Sequence, residues 1–145
     1  MIAPRIKLIK RPELVDASIQ GLLQHLKSPE AWIRHQARKE LSEREPDTVL
    51  AATETWVKAL DPSGSGYAHH LVEAMWACQN VERSSEAILK RVLQCKDGHA
   101  RSAGARVIRY WYRDLSDPVG MIAQLSSDEF ARVRMEAVLS AGFIP

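Results

Sequence analysis

One pattern constrains this chain more than any other. An apolar residue precedes an arginine, a small residue follows three positions later, and a further apolar or small residue follows at seven. It occurs as Ile33-Arg34…Ala37…Leu41, as Ala100-Arg101…Gly104…Ile108 and as Val133-Arg134…Ala137…Ala141. His69-His70…Glu73…Ala77 is a degenerate fourth copy, and the intervals from position 34 to 70, 101 and 134 are 36, 31 and 33 residues. Such spacing puts the apolar and small residues on one face of a helix, with the arginine at its edge. A period of about thirty residues built from two helices predicts an α-solenoid, because one helix pair cannot bury its own apolar face and must stack on the next. The small residue lets neighbouring helices approach closely. The arginine is expected to reach an acidic side chain or a helix-terminal carbonyl of the next repeat.

The rest of the chain fits four such units. Val49, Leu50, Thr53, Trp56, Val57 and Leu60 recur at helical spacing, as do Ala100, Ala103, Gly104, Val107, Ile108 and Trp111. Starts are marked by Ser28-Pro29-Glu30, Ser84-Ser85-Glu86, Asp97-Gly98, Asp117-Pro118 and Ser127-Asp128-Glu129, and Pro46 and Pro62 mark further breaks. The prediction is an all-α protein of eight helices near 18–27, 29–43, 47–60, 67–80, 85–95, 98–114, 118–126 and 128–141. Between the third and fourth, Asp61-Pro-Ser-Gly-Ser-Gly66 reads as a flexible connection. Residues 1–17 read as an extended N-terminal arm broken by Pro4 and Pro12, and residues 18–145 as the repeat domain. Ile6, Leu8 and Ile9 are apolar for a free tail, which points to a piece of a longer protein or to a docking arm.

Composition bounds the function. Hydrophobic residues at 46% and charged residues at 26% exclude a disordered chain, and no apolar run is long enough to span a membrane. The chain has 20 Lys and Arg against 18 Asp and Glu, but Arg5, Lys7, Lys10 and Arg11 all lie in the first eleven residues. The remaining body, 16 against 18, carries a net −2 and lacks the strongly basic balance of a dedicated nucleic-acid binder. No secretory signal is present in the sequence. Cys78 and Cys95 form no CxxC pair, leaving one bridge or two buried thiols, and small core residues are the favoured reading.

Three clusters are candidates for chemistry or contact. His69, His70 and Glu73 fall at helical neighbour spacing and form a metal-like set, but HExxH is absent, and pairing at the repeat junction is the preferred role. Arg34 and Arg38, with Lys39, make a basic patch expected to pair with Glu30, Glu40 or Glu43. Tyr110-Trp111-Tyr112 is flanked by Arg109 and Arg113; Trp111 belongs to the core face, so at least one tyrosine must point elsewhere. Arg34, Arg38, Tyr110, Tyr112 and Arg113 are therefore the candidate interaction patch. The sequence has no GxSxG, GxGxxG or GxxxxGK[ST] motif, so no catalytic, cofactor-binding or metal residue and no small-molecule substrate is assigned.

Asp128-EFARVRMEAVLSA-141 resembles the D-x-x-x-x-V-R-x-x-A-A-x-x-L theme of HEAT repeats of the short PBS-lyase-like kind. The stretches IQGLLQHLKSPEAWIRHQARKEL, WVKALDPSGSGYAHHLVEAMWACQ and HARSAGARVIRYW are similar to the HEAT segment of large PVC-type haem-binding, membrane-bound-dehydrogenase-like bacterial proteins. The resemblance implies an armadillo-like scaffold lying between a propeller-type dehydrogenase domain and a c-type cytochrome domain. This chain has no CxxCH and is too short for a propeller, so neither haem nor dehydrogenase activity is carried over to it. The expected function is a non-catalytic interaction or spacer module, with a protein partner or flanking domains of the same polypeptide. It would be cytoplasmic if standalone and exported if part of such a parent protein. The alternative is a nucleic-acid-binding HEAT-like protein of the DNA-repair type, served by a stripe of Arg34, Arg38, Arg101 and Arg134. HEAT-type hydroxylases hold a di-iron centre through His-Glu dipeptides, which are missing here.

Overall fold

A computed structural model describes residues 12–145, which fold into eight helices and, among the described residues, no strand. They are α1 (Ile19–His25), α2 (Ala31–Ser42), α3 (Pro46–Lys58), α4 (Tyr67–Asn80), α5 (Glu86–Leu93), α6 (Gly98–Trp111), α7 (Pro118–Leu125) and α8 (Ala131–Ala141). None is long and apolar enough to cross a membrane. The all-α expectation and the number of helices both hold. Of the N-terminal arm, Arg5, Ile6, Lys7, Leu8, Ile9, Lys10 and Arg11 lie outside the described residues. Its last part is non-helical, with Leu14 buried and Arg44 Nη2 donating to the carbonyls of Val15 and Ala17 at 2.9 and 3.3 Å.

The apolar periodicity explains which faces meet. Val49, Thr53, Trp56 and Val57 are buried on α3, and Ala100, Gly104, Val107, Ile108 and Trp111 on α6. Consecutive helices pack as pairs, α1 on α2, α3 on α4, α5 on α6 and α7 on α8. The second members also touch in order, α2 on α4, α4 on α6 and α6 on α8, while α3 touches both α1 and α5. The core lies between these sets. Leu22, Leu23, Leu26, Leu41, Leu71, Met75, Ile88, Leu89 and Ile108 are fully buried, each side chain contributing about 1.5–3 kcal/mol of burial free energy.

Helix starts follow the caps in some places and depart from them in others. Ser85, Asp97 and Asp117 cap α5, α6 and α7 with their side-chain oxygens, and Pro118 occupies the first turn of α7. Glu45, a residue not singled out from sequence, caps α3 by accepting from the amides of Asp47 and Thr48. Two expected starts are displaced. The helix placed at 29 begins at Ala31, and the one placed at 128 begins at Ala131. In both places the residues expected to start the helix form a turn, and an arginine of the following helix binds that turn's carbonyls. The 61–66 stretch, read as flexible, is a hydrogen-bonded turn. Asp61 accepts from the Ser63 amide at 2.9 Å and hydroxyl at 2.7 Å, and Gly64 N–H donates to the Asp61 carbonyl.

Candidate interaction surface

The repeated arginine makes the same bond in each intact copy. Arg34 Nη1 donates to the carbonyls of Ser28 and Pro29, both at 2.8 Å. Arg101 Nη1 donates to Cys95 and Lys96 at 2.8 and 2.9 Å, and Arg134 Nη1 to Asp128 and Glu129 at 2.7 and 3.0 Å. The acceptors always stand six and five residues before the arginine, in the turn joining the two helices of its own pair. These carbonyls lie just past a helix end, where unpaired acceptors accumulate, and a planar guanidinium satisfies two at once. The rest of the fork then reaches onward. Arg34 Nε donates to Glu73 on α4 at 3.0 Å, and Arg101 Nε and Nη2 bind both oxygens of Asp128, before α8, at 2.8 and 2.9 Å. All three arginines thus lock their own turns, and Arg34 and Arg101 also tie theirs to the next pair. His70, in the degenerate copy, instead packs beside Trp56, with ring centroids 6.3 Å apart, and burial lowers its pKa.

Two glutamates are sunk between second helices. Glu73 on α4 is 2% exposed and accepts from Arg34 and Arg38 of α2. Glu136 on α8 is 1% exposed and accepts from Arg106 and, at 2.6 Å, from Arg109 of α6. The hydrogen bond from Arg106 is the main reason the Glu136 carboxyl titrates below its ordinary value, and the bond from Arg101 does the same for Asp128. Arg34 and Arg38 of the α2 patch are therefore paired, but not with Glu30, Glu40 or Glu43 as expected from sequence. Their partner is Glu73, placed beside them by the packing of α2 on α4.

Between α4 and α6 lies an open groove of about 310 Å³. His69, Trp76, Asp97, His99, Arg106 and Arg132 line it together with the small residues Ala68, Ala100 and Ala103. Small residues on the facing helices leave this space open. Arg132 makes no hydrogen bond or ion pair among the described residues, and Arg106 is about half exposed despite its bond to Glu136. His69 Nε2 stands 3.6 Å from Glu73, while Arg38 stacks over the Trp76 ring at 5.5 Å. The result is a recess with an aromatic wall and two guanidinium groups, which can meet carboxylate or phosphate groups, beside the Asp97 carboxylate that caps α6.

The five residues of the expected patch are divided. Arg34 and Arg38 sit in the α2–α4 junction. Tyr110 is 64% exposed at the far end of α6, and Arg113 caps the Tyr112 ring there, donating to its hydroxyl at 3.0 Å. No hydrogen bond or ion pair joins the two sets among the described residues. Trp111 is buried as expected. The metal-like set is also split: the Glu73 oxygens face two guanidinium groups, His70 turns to Trp56, and no potential metal-holding group occurs among the described residues. Cys78 and Cys95 are free, buried thiols, and burial pushes Cys78 up to about 12. The groove residues His99, Arg106 and Arg132 were missed. Their signal was faint: three polar residues on two helices that only the α6–α8 packing brings together. No family model, curated protein or solved structure matches this chain.

Proposed function

We propose that this chain is a non-catalytic protein-interaction or spacer module, an α-solenoid of four HEAT-like helix pairs within a larger multidomain redox polypeptide. The observation that supports it best is the recurrent arginine joint. The same two carbonyl offsets recur in three copies, and in two of them the fork continues to a carboxylate of the next pair. Joints of this kind fix the spacing between units and leave the second helices free to form a long contact face. The redox setting rests on the segment resemblance alone. The partner class is a protein segment bearing carboxylates, received in the groove of His69, Trp76, His99, Arg106 and Arg132.

The test is a calorimetric titration with a glutamate-rich peptide containing one aromatic residue. Binding that weakens at least tenfold in an Arg106→Ala, Arg132→Ala double variant supports this reading. No binding, or binding indifferent to both substitutions, overturns the groove assignment. The second reading, nucleic-acid binding, draws on the same exposed Arg106 and Arg132. Against it, three arginines of the expected stripe, Arg34, Arg38 and Arg101, already hold carboxylates. Duplex DNA binding with a steep salt dependence would favour it over the peptide reading.

A further inference from the structure

The groove between α4 and α6 is followed, along the same two helices, by a second pocket of opposite net charge. On α6, His99, Ala103 and Arg106 line the groove and Tyr110 lines the pocket, at three- and four-residue spacing that keeps them on one helix face. On α4, Val72 and Trp76 line the groove and Gln79 the pocket, again on one face. The pocket holds about 300 Å³ and is completed by Glu82, Arg83, Ser84, Trp111 and Asp114. Its electrostatics favour a cation. Both helices end beside it, which brings the negative ends of two helix dipoles to one place. The Glu82 carboxylate makes no hydrogen bond or ion pair among the described residues, and Asp114 accepts from the Ser84 hydroxyl at 3.0 Å. Arg83 is already committed, its Nε donating to Asp47 at 2.7 Å. Glu82 also stands at φ 54°, where glycine would be unstrained, so a carboxylate is kept here at a cost in backbone energy. Two aromatic residues add to the site. Tyr110 offers an exposed ring, while Trp111 is 6% exposed and lines the pocket with an indole N–H that donates to nothing among the described residues.

We infer that this pocket receives a lysine or arginine of the same extended segment whose carboxylates enter the groove. The inference rests on the groove reading above and adds to it a second charge and a spacing. The cation meets Glu82, Asp114 and the Tyr110 ring, and a main-chain carbonyl of the segment accepts from the Trp111 indole. Tyr110 and Asp114 stand four and eight residues beyond Arg106, about 6 and 12 Å along the line of α6. About two to four residues of extended chain cover that span. The partner is thus read as an acid and a base at fixed separation. A segment of reversed polarity would meet like charge at both ends, with its acid against Glu82 and Asp114 and its base against Arg106 and Arg132, which is how the seam discriminates.

The test is a calorimetric titration of the full chain with three peptides of equal length. One is the glutamate-rich peptide with a single aromatic residue. The other two carry in addition a lysine three residues to the N-terminal or to the C-terminal side of the glutamates. One of the lysine peptides is expected to bind about fivefold tighter than the lysine-free one. A Glu82→Gln, Asp114→Asn double variant, its helical content matched by circular dichroism, should lose that gain and still bind the lysine-free peptide as the wild type does. A Glu40→Gln, Glu43→Gln variant, with the same change of charge on α2, should keep the gain. Lysine peptides that bind no tighter than the lysine-free peptide overturn the inference and leave the groove reading standing, and so does a gain that survives in the Glu82, Asp114 variant. Absence of binding by all three peptides overturns both, as do affinities that Arg106→Ala with Arg132→Ala leaves unchanged.

Discussion

Glu136 shows how much of this protein depends on single charged side chains held inside it. Its carboxylate is out of solvent and remains ionised because Arg106 and Arg109 supply donors from α6. Removing it would strand Arg109, which is itself largely buried and stacks on Phe143 at 5.5 Å. Glu136→Ala is expected to cost about 3 kcal/mol in urea unfolding, the cost of breaking a buried pair from one side. The pH dependence has a definite sign. Glu136 and Asp128 both titrate below their ordinary values of 4.5 and 3.8, so the folded chain holds these protons less readily than the unfolded one. Their contribution is complete above those ordinary values and is lost as pH falls through the lowered ones. Stability should therefore decline below about pH 4.5, and Glu136→Gln should flatten that decline when unfolding midpoints are compared across pH. Glu82 offers a gain instead. It is an exposed non-glycine residue at φ 54°, and Glu82→Gly is expected to raise stability by up to about 1 kcal/mol by relieving that left-handed backbone.

Among the elements, the small position of the repeat sets how closely helices pack. A Cβ on Gly104 of α6 would meet Leu93 Cδ2 at 2.8 Å and Val92 Cγ1 at 3.0 Å, both side chains of α5. Gly104→Ala gains up to about 1 kcal/mol of helix propensity against that crowding and should stay within 1 kcal/mol of wild type. Gly104→Val should lose about 2 kcal/mol, measured by thermal unfolding, because the larger group forces α5 and α6 apart. The importance of this position was legible from sequence, since Ala37, Gly104 and Ala137 share one phase of the repeat and all three are buried. Helix number was legible for the same reason. The starts of α2 and α8 were not, because Ser28-Pro29 and Asp128 each carry a good local signal for a helix start that an arginine side chain overrides. The arginine six residues on takes the carbonyls of that turn, and Asp128 is itself committed to Arg101. Pairing partners were least legible of all. Arg34 finds Glu73 across 39 residues, while nearer acids such as Glu30 were plausible and unused.

At the scale of the molecule, successive helix pairs pack on one another, the repeated arginine tying the first pair to the second and the third to the fourth, with a groove carrying Trp76, Arg106 and Arg132 on the second helices. The resemblance that suggested HEAT-like units came from short segments, and the packing that tests the joint comes from long-range contacts. The arginine was expected to reach the next repeat. Arg34 and Arg101 do so, but the fixed grip of all three on their own turns was invisible until the turns were seen. If the joint holds the units together, Arg101 and Asp128 must be coupled in energy and not merely adjacent. A double-mutant cycle of Arg101→Ala and Asp128→Ala, read by urea unfolding of the full chain, measures this directly. The expected coupling is at least about 1 kcal/mol, with either single variant already losing most of what the double variant loses. Additive losses, with coupling near zero, would contradict it.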